Sequence, residues 1–170
     1  NMANQVCHPR IDRYRPWYRS HCRLRIRQKD LHHPANRQIL HLWPTEMLNS
    51  RRLPHENLSI TPEAMRAEEE EGLVPQILGN EESAIAASVQ RLKIWGAEGI
   101  DINMGCPVSK ALKHNYGVAL MGDSDYAADV VRMTKANTDL PVSVKLRAVE
   151  TSEVQSLVGF TRKLTHAGVS

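Results

Sequence analysis

The chain has 170 residues, a net charge of +3, 41% apolar and 24% charged side chains. That composition supports a globular core and excludes wholesale disorder, while three cysteines are too few for a disulfide scaffold. No run approaches the roughly 18 apolar residues of a membrane span, and Asn1–Arg10 has no apolar secretory core, so a soluble, cytoplasmic protein is expected.

The charge is uneven. Residues 1–43 hold nine basic side chains against two aspartates, a balance of +7, and the other 127 residues carry −4. Five of the eight histidines and four of the eight aromatics also fall in the first segment. Arginines interleaved with Tyr14, Trp17 and Tyr18 suit RNA, through phosphate neutralisation and base stacking. The competing reading is a poorly folded tail, because Arg10–Arg27 has neither helical nor strand periodicity. Cys7, His8, His21, Cys22, His32 and His33 match no zinc-finger or ribbon spacing, so no metal is expected.

From Pro44 onward, strand and helix patterns alternate. Thr45–Leu48 is a short apolar–polar run, and Thr61-Pro62-Glu63 has the form of a helix start running to the acidic end Glu68–Glu71. Gly72–Gly79 reads as a buried strand interrupted by Pro75. Asn80-Glu81-Glu82 is placed to cap a helix carrying Ile85, Val89 and Leu92 on one face, closed by Gly96 and Gly99.

Gly99–Gly105 is a second strand, with Asp101 and Asn103 on one face and Ile100, Ile102 and Met104 on the other. A helix over Ser124–Ala136 has Ala127, Val130, Val131 and Thr134 as its inner stripe. Pro141–Arg147 is a third clear strand, and Ser152 with Gln155 has capping-box spacing for a last helix ending near His166 and Gly168. Such alternation predicts a parallel sheet with its site at the C-terminal strand ends. That rule selects Gln76, Asn103 with Gly105-Cys106-Pro107, and Lys145 with Arg147.

Gly99-Ile-Asp-Ile-Asn-Met-Gly-Cys-Pro-Val-Ser-Lys110 resembles the signature of the tRNA-dihydrouridine synthases. Thr45-Glu46-Met47, Val74–Gly79, Pro141–Arg147 and the loop Lys110–Leu120 follow that family's order, so the resemblance covers about residues 44–170. It implies an α/β fold: part of an eight-stranded β/α barrel, ending after about the fifth strand and its helix. A complete barrel takes about 250 residues. It also implies FMN as cofactor, NADPH as reductant and tRNA as partner. The reaction is reduction of the uridine C5–C6 double bond, with Cys106 protonating C5. A free thiol titrates near about 8.5 and is mostly protonated at neutral pH, as a general acid must be.

The resemblance assigns Gln76 and Lys145 to the flavin, where a fixed cation stabilises the anionic reduced ring. It gives Asn103 a uracil edge or the flavin, and Arg147 RNA phosphate or flavin. Lys110, Lys113 and His114 are further candidates for RNA. Met2-Ala3 matches a flavin-contacting segment at the end of the family's first strand, with Asn1 in place of its proline. Residues 1–43 otherwise depart from the family pattern and are expected to be an atypical basic leader, with 44–170 as the catalytic segment. This chain alone is expected to bind FMN poorly and to show little activity. The competing functions are another flavin barrel acting on a pyrimidine, such as a dihydroorotate dehydrogenase relative, and a non-catalytic RNA-binding fragment.

Overall fold

The computed structural model describes residues 42–66, 70–148, 150 and 153–170. Residues 1–41 of the basic leader, with Met2, Ala3 and the Cys/His positions considered for zinc, lie outside the described residues, as does Ser152, whereas Trp43 of the leader opens the first strand. Four parallel strands, β1 (Trp43–Asn49), β2 (Leu73–Leu78), β3 (Ile100–Met104) and β4 (Val142–Leu146), form one sheet in the order β1-β2-β3-β4. Helices α1 (Glu82–Trp95), α2 (Ser109–Lys113), α3 (Ser124–Lys135) and α4 (Val154–Ala167) are interleaved with them. Parallel neighbours in strict chain order are the arrangement expected of successive barrel staves.

The two faces of the sheet differ. Ile77, Ile100, Ile102, Met104 and Val142 are buried in one apolar core with Ile85, Val89 and Leu92 of α1 and with Ala127, Val130 and Val131 of α3. Phe160 and Leu164 of α4 belong to the same core. Fully burying an aliphatic side chain of this size stabilises by about 1.5–3 kcal/mol, and this face supplies most of the driving force for the fold. The opposite face carries Gln76, Asp101, Asn103 and Ser143, joined by hydrogen bonds across β2, β3 and β4.

Pro75 lies inside β2 without breaking it. The β1–β2 register shifts between Pro44 and Met47, so the ladder is interrupted at the residue that has no N–H to give. Thr45 Oγ1 accepts the next amide, Gln76 N, at 3.1 Å. The inner stripe expected for α3 is buried throughout, and Asp123 caps that helix by accepting from Asp125 N and Tyr126 N. Gly96 ends α1 in the left-handed region at φ 91, which costs glycine little.

Two local expectations are overturned. The helix expected from Thr61 is a single turn over the described residues, in which Ala64 N and Met65 N donate to Thr61 O at 2.9 and 2.8 Å. Thr61 Oγ1 bonds back to Asn57 O at 2.9 Å instead of capping the turn it begins, a local competition typical of threonine. Nor does Asn80 cap α1. Glu81 occupies the cap position without a side-chain bond, while Asn80 Nδ2 donates to His114 O, Asn115 O and the Tyr126 hydroxyl at 2.9–3.0 Å. The asparagine ties the loop after β3 to the body of the fold.

Candidate active site

The C-terminal ends of β1, β3 and β4 open onto a cleft of about 360 Å³, lined by Met47, Asn103, Gly105, Cys106, Pro107, Lys145, Leu146 and Arg147. The parallel sheet itself puts them there: Met47 pairs with Gln76 in register, and Asn103 pairs with Lys145. Side chains from three strands therefore reach the same rim.

Cys106 is a free thiol, 7% exposed, just past the end of β3. Its backbone is held on both sides. Cys106 N donates to Asn103 Oδ1 at 2.9 Å, and Val118 N donates to Cys106 O at 3.0 Å. The second bond depends on a glycine. Gly117 sits at φ +62, and a Cβ there would lie 2.7 Å from Cys106 O and 3.3 Å from Cys106 Cβ, so no side chain fits between loop and cysteine. Leu78, Ala111 and Tyr116 complete a small apolar cluster around Cys106.

Asn103 is 2% exposed and uses both ends of its amide. Oδ1 accepts Gly105 N at 3.1 Å as well as Cys106 N, and Nδ2 donates to Gln76 Oε1 at 2.7 Å. Gln76 Nε2 in turn donates to Asp101 Oδ2 at 2.5 Å, and Ser143 Oγ donates to Asp101 Oδ1 at 2.7 Å. A primary amide has two N–H donors. Asn103 and Gln76 each therefore retain one N–H beyond these bonds.

The cation side is looser. Lys145 and Arg147 are exposed. Arg147 Nε donates to Gly105 O at 3.3 Å, and its backbone N–H points at Met121 Sδ at 3.4 Å. At Gly105 an added Cβ would meet Arg147 N and the Leu146 carbonyl carbon at 3.3 Å, so the β3 and β4 strand ends approach closely here.

The dihydrouridine synthase family model matches residues 17–170. The chain belongs to the dihydrouridine synthase family. Its curated relatives include a probable tRNA-dihydrouridine synthase 1 of Synechocystis, 31% identical over 125 residues, covering 73% of this chain and 35% of the relative. A probable tRNA-dihydrouridine synthase of Staphylococcus aureus strain COL is 40% identical over 81 residues, 48% of this chain and 24% of the relative. One from Rhizobium leguminosarum is 36% identical over 106 residues, 61% of this chain and 32% of the relative. The chain thus spans about a third or less of the length of the curated relatives it matches.

As a dihydrouridine synthase segment, the parallel sheet and its helices are part of a β/α barrel. The family match takes in residues 17–43 as well as the segment from Pro44 onward. No helix among the described residues is long and apolar enough to cross a membrane.

Among the residues selected from sequence, Cys106, Asn103, Lys145 and Arg147 line the cleft together, whereas Gln76 sits behind Asn103 within the hydrogen-bond chain. Lys110, Lys113 and His114 are exposed on or just after α2, beside the cysteine loop. Sequence reading missed the structural parts of Asp101, Ser143, Asn80 and Gly117. For Asp101 the signal was present, since strand alternation already put it on the face of Asn103. For Asn80 no local pattern could have told a helix cap from a contact 34 residues away.

Proposed function

We propose that this chain carries catalytic residues of a flavin-dependent tRNA-dihydrouridine synthase, reducing the C5–C6 double bond of a uridine in tRNA. The observation that supports this best is the meeting at one rim of a buried, free thiol, an anchored amide and an exposed lysine. The cleft suits FMN in the chemistry of its lining: an apolar wall at Met47 and Leu146, amide N–H groups and a cation. FMN, once reduced by NADPH, would supply the hydride for uridine C6.

The protein residues do the rest. Cys106 Sγ–H gives its proton to C5. Asn103 directs its second N–H to a carbonyl of the uracil or of the flavin ring. Lys145, exposed at the rim, would place an ammonium beside a bound flavin ring, where a fixed cation favours negative charge on it. Gln76 holds Asn103 and keeps one N–H for the flavin. Arg147, with a planar fork of donors, meets phosphate.

The test is dihydrouridine content. Cells lacking their own synthase receive a full-length synthase carrying this segment, or the same protein with Cys106→Ala, and tRNA nucleosides are measured by mass spectrometry. Dihydrouridine should return with the first and stay at background with the second. Normal levels with Cys106→Ala would remove the thiol from the mechanism, and free dihydroorotate as the preferred substrate would replace the whole reading.

A further inference from the structure

The hydrogen-bond chain under the cleft has a direction. It begins at the Asp101 carboxylate, passes through the amides of Gln76 and Asn103, and ends at the backbone N–H groups of Gly105 and Cys106. Both middle members are primary amides, in which oxygen and nitrogen exchange places by a simple flip. The two ends admit no exchange. A backbone N–H only donates, and an ionised carboxylate only accepts. The observed order therefore requires an acceptor at position 101. If Gln76 turned round, its Nε2 would face Asn103 Nδ2, or Asn103 would turn and aim donors at the N–H groups of residues 105 and 106.

We propose that Asp101 is a positioning residue for Cys106: its carboxylate fixes the polarity of the Gln76–Asn103 relay and so holds the Gly105–Cys106 turn that presents the thiol. Asp101 is 7% exposed and does not line the cleft. It touches neither thiol nor substrate side and acts through its neighbours. Ser143 Oγ, donating to the other carboxylate oxygen at 2.7 Å, holds the acid from β4. Burying a carboxylate is costly unless it is paired by hydrogen bonds, and both partners here are donors. That Cys106 is the acid for C5 rests on the proposed function; the relay itself does not.

The experiment reads the turn directly. Amide hydrogen exchange at Gly105 and Cys106 is followed by NMR, and iodoacetamide modification of Cys106 by peptide mass spectrometry, in the folded protein. In Asp101→Leu, which leaves Gln76 Nε2 without an acceptor, exchange at these two amides should rise by about tenfold, the equivalent of one broken hydrogen bond, with the rest of β3 unchanged and the Cys106 alkylation rate altered. A merely structural role would raise exchange across the sheet together. The decisive form is the reversed relay, D101N combined with N103D. A carboxylate at 103 accepts the two backbone N–H groups without help, Gln76 turns round, and the amide at 101 donates to it. Protection at residues 105 and 106 should return to the unsubstituted level.

Folded D101L with unchanged exchange at both amides overturns the proposal, as does a reversed relay no better protected than D101L. Should D101L not fold, Gln76→Met interrupts the relay without adding charge, and unchanged exchange there overturns it equally. If a full-length synthase carrying this segment reduces no uridine while the exchange pattern holds, the function reading fails and the relay stands.

Discussion

The ends of β3 and β4 are neighbours in the sheet and opposites in construction. At the end of β3, Asn103 and Cys106 are buried, and the cysteine backbone is bonded at both its N–H and its carbonyl. At the end of β4, Lys145 and Arg147 are exposed, on a strand that pairs on one side only among the described residues. In the proposed reaction a proton donor must meet one carbon atom, and small displacements are costly. A cation near a flavin ring acts through a field that falls off slowly with distance. Rigid construction is therefore concentrated where the chemistry is most sensitive to geometry. Substitutions at β3 should change chemistry or folding, and those at β4 should change binding alone.

The largest effect belongs to Cys106→Ala. Loss of a positioned general acid costs about 10²–10⁴-fold, so single-turnover uridine reduction by a full-length synthase carrying this segment should fall by that factor. The rate at which NADPH reduces the flavin should not move. Equal losses in both half-reactions would mean that the thiol shapes the cofactor site. Gly117→Ala comes next. It combines a positive φ with a Cβ 2.7 Å from Cys106 O, and about 1–3 kcal/mol of destabilisation is expected, read by denaturant unfolding. Unchanged stability would show that the loop has room to withdraw, and the rigid half of the comparison would fail.

This contrast was partly legible in the sequence. Period-two alternation in Ile100–Met104 put Asp101 and Asn103 on one face, and the C-terminal rule for parallel strands then picked out Cys106, Lys145 and Arg147 as cleft residues. These are local patterns set by backbone geometry. The parts that escaped depend on contacts distant in sequence. Asn80 had a good cap spacing, yet its amide serves carbonyls 34 and 35 residues on. Thr61-Pro62-Glu63 had every local mark of a helix start and formed one turn. Nearby, Arg66 directs its guanidinium to Glu70 O, Trp95 O and Gly96 O. Gly117 combines a positive φ with a Cβ direction that Cys106 O blocks, a contact that no reading of residues 110–120 alone would disclose.

Lys145→Met tests the open half. Removing one charge-assisted hydrogen bond is equivalent to about ten- to a hundredfold in flavin affinity, measured by fluorescence titration with FMN. Since the side chain is exposed, unfolding free energy should stay within about 0.5 kcal/mol. A stability loss beyond that range would make Lys145 part of the fold and erase the contrast between the strand ends.

Arg147→Ala should be the mildest in the folded protein. Its side-chain bond to Gly105 O, at 3.3 Å, is exposed and long, while the backbone approach to Met121 Sδ does not need the guanidinium. Stability should again stay within about 0.5 kcal/mol. Removing a single phosphate contact should weaken tRNA binding evenly across sequences and lower the slope of log affinity against log salt by about one. An unchanged slope with weaker FMN binding would move Arg147 from the RNA to the cofactor. A destabilisation above about 1 kcal/mol, twice the range expected of an exposed substitution, would mean that the arginine clamps the β4 end onto Gly105, and the β4 end would then share the rigidity of β3.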